Sequence, residues 1–467
     1  MERTGFFAIL GFVSKEKYLR NNNWYKLKNY LHFDEPIDEA KAYKLVSNPN
    51  LISKHSFLPF LSFMVKSPKY QYDEKIGKKT ITTKDREICY CSHTDSHIYS
   101  YYATILYEKY ENILFKKKLE SNVIAFRKIG DGKCNINFAY EAFNDIKQYN
   151  RSTVIALDFS KFFDSLNHDI LKKQWCKIIN KDKLPEDHFK VFKSLTKYAK
   201  VDKNKLESIL CRRKNRYYRK LCTIKEFRDK VRTRNLISKN DSNIGIPQGS
   251  PLSGLLSNIY MLDFDERMKN YISKLNGKYY RYCDDILIII PNIHNIKEVK
   301  KIAIEAIRDL EVNINDKKTE IRTFERNASH IKIKNKVLKH KSFHFINTYI
   351  KKDLITKEKK PLQYLGFLFD GRNIYIRSSS ISRYYGKIRK GLLRAKYHMK
   401  NKNMQRKEKG YHSKPLFKNK LYEMYSHLGK SNFVTYARRC KNHMNLSQTI
   451  NKQMKKFHKI LFQRLNK

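Results

Sequence analysis

Lys278–Ile290 reads KYYRYCDDILIII. Apolar and aromatic residues flank Cys283-Asp284-Asp285 on both sides, which predicts two strands joined by a tight acidic turn. A second run, Ser152–Asp158 (STVIALD), predicts a buried strand that ends in a carboxylate. A carboxylate flanked by apolar strand is costly to bury unless it is paired or metal-bound. Two adjacent Asp residues at one turn raise that cost, because like charges repel. A divalent cation removes it, and hard oxygen donors without His or Cys favour Mg²⁺, with Mn²⁺ as the substitute. Two such ions about 3.5–4 Å apart serve phosphoryl or nucleotidyl transfer. Capping aspartates at an ordinary turn are the other reading of Asp284-Asp285 taken alone.

Outward from these strands, Phe162–Trp175 has amphipathic helical spacing. Gly245–Pro251 is a Pro/Gly-rich turn that leads into a predicted helix, Leu252–Met268. Lys297–Leu310 predicts a helix, and Tyr364–Phe369 with Asn373–Ile376 a hairpin around Asp370-Gly371. Upstream, Ile81–Cys91 reads as extended, His93–Tyr110 and Phe138–Ile146 as helical, and Val123–Arg127 as a short apolar run ending in a charge. The first 75 or so residues show no clear pattern. Cys89 and Cys91 alternate onto one strand face near His93, which fits a buried face better than a metal site. No C-x-x-C pair occurs, so a zinc ribbon is not supported, and scattered cysteines suit a reducing cytoplasm.

The charge has a direction. Lys+Arg number 98 against 45 Asp+Glu, a net +53 that calls for a polyanionic partner. Hydrophobic residues at 41% and aromatics at 13% exclude a wholly disordered basic tail. The longest apolar stretches, Gly5–Val13 and Phe57–Val65, fall well short of the roughly 20 residues of a spanning helix, so no membrane is expected. Gly5–Val13 resembles a short signal core but lacks a small-x-small cleavage site. Residues 371–467 hold 26 Lys+Arg and two acids, a net +24. Hydrophobics recur there at helical spacing, as in Leu392, Leu393 and Tyr397 and again in Phe457, Ile460 and Leu461, which predicts a basic helical bundle. A second basic stretch, about 176–243, contains Arg212-Arg213-Lys214 and Arg216–Lys220.

Five short motifs then fall in order between Asp158 and Phe367. Tyr282-Cys283-Asp284-Asp285 resembles the Tyr-x-Asp-Asp box of reverse transcriptases. Asp158–Asp164 (DFSKFFD) resembles their first carboxylate motif, followed by Leu166-Asn167-His168 as in retron and group II intron enzymes. Gly245–Ser253 resembles their Pro-Gln-Gly-Ser-Pro motif, Asn315–Thr319 their Asn-x-x-Lys-Thr motif, and Leu365-Gly366-Phe367 their primer grip. The resemblance implies an α/β (α+β) right-hand polymerase fold. Residues 1–75 would be an N-terminal extension and 76–150 the fingers. Residues 151–370 would form a palm of antiparallel sheet plus helices, with a basic fingers-like insert at about 176–243. Residues 371–467 would be a small helical thumb.

The resemblance also implies roles. Asp158 and Asp284 would ligate two Mg²⁺ ions, with Asp285 a weaker or outer contributor and the Phe159 carbonyl a further oxygen. Phe163 stands at the steric-gate position, where a bulky ring excludes the 2′-hydroxyl and selects dNTP over rNTP. Gln248 and Gly249 would approach the template base and incoming nucleotide, glycine permitting close backbone approach. Lys318 would lie near the pyrophosphate as its general acid. Lys84 and Arg86, in a Lys-x-Arg pattern, and Arg127, in Ala125–Lys128, would grip the triphosphate from the fingers. Leu365, Gly366 and Phe367 would hold the primer end.

Beyond the palm, neither the Asn-Ala-x-x-His box nor the Val-Thr-Gly triplet of retron enzymes is present, and no zinc-bearing nuclease pattern follows the primer grip. Ser92–Tyr102, Val123–Lys128 and the basic insert look more like bacterial defence-associated enzymes of the abortive-infection and "unknown group" kind. That likeness implies a structured non-coding RNA as template, a DNA product, and a primer 3′-end or a protein hydroxyl as the start. The alternatives are a group II intron or retron-type enzyme without a defence role, an RNA-dependent RNA polymerase, a silent nucleic-acid-binding protein and another metal-dependent phosphotransferase.

Overall fold

The computed structural model describes residues 24–73, 77–130, 132–210, 219–291, 296–315, 319–327, 330–335, 360–444 and 447–465. The expectations on Gly5–Val13, on the basic run 211–218 and on Lys318 lie outside these residues. In chain order come helices α1 (Glu39–Val46) and α2 (Pro49–Lys54), then strands β1 (Phe60–Asp73) and β2 (Lys78–Tyr90), then α3 (His93–Lys116) and α4 (Asn135–Gln148). The middle of the chain forms β3 (Arg151–Asp158), α5 (Phe162–Ser165), α6 (His168–Ile179), α7 (Glu186–Thr196), β4 (Ala199–Asp202) and α8 (Lys203–Leu210). Next are α9 (Ile224–Glu226), which runs into a π-helical turn to Arg232, then β5 (Ile237–Lys239), α10 (Ser253–Tyr260) and α11 (Leu262–Lys274). Strands β6 (Lys278–Tyr282) and β7 (Asp285–Ile290), helix α12 (Ile296–Arg308), and strands β8 (Glu320–Asn327) and β9 (His330–Asn335) follow. The last part holds β10 (Leu362–Tyr364), β11 (Phe367–Phe369), β12 (Ile374–Ile376), α13 (Ser378–Glu408), α14 (Asn419–Tyr425), α15 (Phe433–His443) and α16 (Gln448–Leu465).

The central sheet has the order β6-β7-β3-β8-β9, with every neighbouring pair antiparallel. Its middle strands are apolar on both faces because both faces are covered. Ile155 and Leu157 of β3 and Ile286, Ile288 and Ile290 of β7 join a core with α3, α6, α10, α11 and α12. Val154, Leu287 and Ile289 point the other way, into a core with α4, β10–β12 and the C-terminal helices. The alternation of strand side chains thus sews two cores to one sheet.

Several boundaries differ from the sequence reading, each for a local reason. Phe162–Trp175 is two helices, because the Asn167 side chain caps α6 by accepting N–H bonds from Asp169 (2.7 Å) and Ile170 (3.1 Å). Leu252–Met268 divides at Met261 into α10 and α11. Tyr364–Phe369 is broken by a tight turn at Leu365-Gly366, whose φ values are +44° and +92°. β1 pairs with β2 along its whole length, so one hairpin joins residues 60–73, expected in the N-terminal extension, to residues 78–90, expected in the fingers. The basic insert contributes β4, parallel to the start of β1, and β5 beside it, completing a sheet of order β2-β1-β4-β5. In the C-terminal part Phe457 and Leu461 are buried as their spacing predicts, whereas Leu393 and Tyr397 are 57% and 64% exposed. Among the described residues, no helix is long and apolar enough to cross a membrane.

Candidate active site

Strand β3 ends on Asp158 and β7 begins on Asp285, and the two are direct partners across the antiparallel ladder. Side chains directly opposite share one face of a sheet. Here it is the face that carries Val154 and Leu287 toward the second core. Asp158 is 8% exposed, and Asp284 and Asp285 are half-buried. Asp284 stands outside the ladder, forming with Cys283 a two-residue turn between the paired Tyr282 and Asp285. The register therefore sets Asp285, rather than Asp284, opposite Asp158. A period of two decides which of the two acids faces across the ladder. Cys283 takes a left-handed φ of +57°. Burial, aided by the neighbouring Asp284 charge, pushes its thiol up to about 12, so the turn carries a neutral sulfur beside its acids.

Backbone oxygens extend the set. Asn315 N–H donates to the Asp158 carbonyl (2.7 Å), and Ser160 N–H donates to the Asn313 carbonyl (2.8 Å). These bonds flank Phe159, which bridges antiparallel to Ile314. Alternation along extended chain turns the Phe159 carbonyl to the opposite side, toward β7. The Asn315 bond also sets the start of the Asn-x-x-Lys-Thr motif beside Asp158. All the donors are hard oxygens, the chemistry that suits Mg²⁺ or Mn²⁺. Among the described residues, no three His, Cys, Asp or Glu side chains gather to hold an ion. The carboxylates brought together here whose chemistry fits a divalent cation are Asp158, Asp284 and Asp285.

A buried charge network lies beneath the turn. Arg281 and Asp265 are both 0% exposed and joined in a fork, Nε to Oδ1 at 2.7 Å and Nη2 to Oδ2 at 2.6 Å. Arg281 Nη1 donates to Asn258 Oδ1 (3.0 Å) and to the Cys283 carbonyl (3.2 Å), and the Tyr279 hydroxyl donates to Asp265 (2.6 Å). The guanidinium so ties the acidic turn to α10 and α11. The sequence signal was available: a lone Arg between aromatic strand residues must be paired if it is buried.

The floor beside the acids is hung on the 163–168 segment. Ile246 N–H donates to the Phe163 carbonyl (2.9 Å), Gly245 N–H to the Leu166 carbonyl (2.8 Å), and the His168 ring meets the Gly245 carbonyl at 2.8 Å. Phe163 is half-buried, edge-on to Phe162 at 5.9 Å. The Gln248 carbonyl accepts from Cys89 N–H of β2 (2.9 Å). A Cβ on Gly249 would lie 2.4 Å from the Cys89 carbonyl oxygen and 3.3 Å from Ile88 Cγ2. Glycine is thus required there by an approaching strand. Lys84 and Arg86 share the β2 face of Ile88, the face that meets Gly249, and both are exposed.

Arg127 and Leu365–Phe367 have protein partners of their own. The Arg127 side chain is 3% exposed and turned inward. It holds both Glu111 oxygens at 2.7 Å and donates to the Glu120 carbonyl (2.7 Å) and the Val123 carbonyl. With its donors so committed it braces residues 120–127 against α3. Leu365-Gly366 sits in a turn whose Leu365 carbonyl accepts from Asn135 Nδ2 (3.0 Å), and the same Nδ2 contacts the Tyr436 hydroxyl (3.0 Å). Arg377 N–H donates to the Gly366 carbonyl (3.0 Å). The expected primer-grip turn is therefore pinned by α4, α15 and the start of α13, and Phe367 is wholly buried.

Residues 76–369 match the family described as "Reverse transcriptase (RNA-dependent DNA polymerase)", a span that includes the acids, the 245–253 turn and Leu365–Phe367. No curated protein sequence matches the chain. Among solved structures, apo telomerase from Candida tropicalis is similar at 13% identity and a TM-score of 0.37, covering 64% of this chain and 53% of that one. A form of it truncated from the C-terminal domain gives 14% identity and 0.32, covering 57% and 53%. Telomerase from Candida albicans in complex with a TWJ fragment of telomeric RNA gives 12% identity and 0.40, covering 91% and 64%. The chain thus spans between 53% and 64% of the length of these structures.

Proposed function

This chain belongs to the reverse transcriptase family, and on that premise we propose that it is an RNA-directed DNA polymerase that adds dNTPs to a primer 3′-end or a protein hydroxyl. The observation that carries the proposal is the pairing of Asp158 with Asp285 at adjoining strand ends, with Asp284 in the turn between β6 and β7. Reverse transcriptases as a family use divalent metal ions, which supply activation of the attacking hydroxyl and neutralisation of the leaving pyrophosphate. Asp158, Asp284 and Asp285 would hold them, with the Phe159 carbonyl as a further oxygen. Phe163 bounds the sugar and excludes a 2′-hydroxyl. The Gln248-Gly249 backbone supports the nascent base pair while braced on β2. Lys84 and Arg86 reach the triphosphate from the adjoining strand face, and Lys318 acts as acid toward pyrophosphate.

Primer extension on an RNA template tests the reading. The unmodified protein should incorporate dNTPs and reject rNTPs. Asp158→Ala and Asp285→Ala should fall to background with RNA binding kept, and Phe163→Ala should admit rNTPs. Preference for rNTPs by the unmodified protein would instead make it an RNA polymerase, and RNA binding without synthesis a binding protein. The likeness of Ser92–Tyr102 and the basic insert to defence-associated enzymes supports a finer reading, in which a structured non-coding RNA is copied in the cytoplasm during antiphage defence. Sequencing the RNA that co-purifies, and the DNA made from it, checks this. A random sample of cellular RNA would count against it.

A further inference from the structure

Helix α13 is anchored on the second core over its first half, through Tyr384, Ile388, Leu392 and Ala395. Its buried residues are Tyr384 and Ile388, and beyond them it runs on to Glu408. Tyr397 lies about 30 Å along the axis from Arg377, which touches the Leu365-Gly366 turn. On this outer part Leu393, Tyr397 and Met404 are 57%, 64% and 55% exposed. At about 100° per residue these three positions fall within about 40° of arc, so they form one stripe. The chain then folds back along the helix as a strap. The Asn403 side chain bonds both the Lys414 N–H and its carbonyl at 2.9 Å, and Arg406 Nε donates to the His412 carbonyl (2.8 Å). The strap leaves the stripe uncovered and adds two exposed rings, Tyr411 (60%) and Phe417 (68%).

Charge selects the occupant. Lys387–Lys409 holds ten Lys+Arg against one acid, Glu408. A second copy packed stripe to stripe would set like charges against each other. A nucleic-acid duplex would satisfy the cations, yet its bases are stacked inside and would leave the apolar stripe in water. Unpaired RNA offers both partners, phosphates for Lys and Arg and base faces for exposed rings and apolar side chains. We propose that the outer part of α13, with its strap, is a binding surface for unpaired RNA, distinct from the catalytic acids. The proposal deepens the RNA-template reading and rests on it.

The test uses the full chain, with labelled oligouridine and a blunt RNA duplex of equal length as probes. Combined Leu393→Ala, Tyr397→Ala and Met404→Ala should weaken oligouridine binding about tenfold or more. Duplex affinity should stay unchanged, and thiouridine cross-links should map to the outer part of α13. These side chains are exposed, so the variant should fold. Unchanged oligouridine affinity, equal loss for both probes, or cross-links confined elsewhere overturns the proposal. So does a dimer of the unmodified protein that the triple variant converts to monomer, since the stripe would then serve a second copy. Primer extension on the same unmodified preparation separates the two readings. Its absence counts against the polymerase, while the oligouridine comparison still decides the surface.

Discussion

Gly249 has a close neighbour that its motif does not name. The motif Gly245–Pro251 marks a place where backbone comes close to something, and sequence reasoning names a nucleotide. The structure brings β2 to it: an added Cβ would meet the Cys89 carbonyl oxygen at 2.4 Å, at a φ of +125°. Backbone cannot yield as a flexible side chain would. Gly249→Ala should therefore lower the thermal midpoint of the ligand-free protein, a loss of about 1–3 kcal/mol. An unchanged midpoint with weakened dNTP binding would return the glycine to a ligand-only role. Asp158 and the Asp284-Asp285 pair were legible because apolar strands surround them. Which acid faces Asp158 was not, since that depends on turn length and register.

At the scale of elements, the β6–β7 hairpin is held from below. Its chain neighbours explain the apolar Val123–Arg127 run, which was visible in the sequence without a purpose. Val123 bridges Arg281, Ile124 N–H donates to the Arg281 carbonyl (3.0 Å), and Asn258 Nδ2 donates to the Ala125 carbonyl (2.8 Å). Removing one partner of a buried pair strands the other charge, at a cost of about 3–5 kcal/mol. Arg281→Met should show a loss of that size in urea unfolding. The double variant Asp265→Leu/Arg281→Met should recover most of it, because no orphaned charge remains. Additive losses in the double variant would mean that the two residues do not act as a unit.

At the scale of the molecule, buried histidines join the N-terminal segment to the rest: His32 packs on Tyr90 of β2, and His97 of α3 packs on Trp24 and Tyr25. His32 and His97 are 0% and 2% exposed, and burial pushes both down to about 4 from an ordinary 6.5. For His32 the nearby Asp34 opposes the shift, and for His97 the neighbouring His93 adds to it. The unfolded chain takes up these protons near 6.5, whereas the folded chain does so only near 4. Stability from this source is therefore full above pH 6.5 and declines as pH falls toward 4. The loss is on the order of a few kcal/mol in total. Urea midpoints across that window should fall for the unmodified protein and fall less for His97→Phe. Parallel profiles would remove the histidines as the cause.

The fold class came from the resemblance of the motifs, while the sequence by itself determined the strands, turn and helices around Asp158 and Asp284-Asp285 and the place of the excess charge. Each is written in local pattern: period-two apolar runs, a carboxylate where a strand ends, a Pro-Gly turn, and Lys and Arg gathered after residue 371. Only the tertiary structure decided that β1 belongs with β2, that the basic insert completes the same sheet, and that Arg127 is spent on Glu111. It also decided that Leu393 and Tyr397 stay in water while Phe457 and Leu461 are covered, although all four keep helical spacing. Helical spacing says which side chains share a face. Whether anything packs against that face depends on how the helix lies on the body of the protein: Leu392 and Ala395 of α13 still pack against the second core, while Leu393 and Tyr397 face away from it.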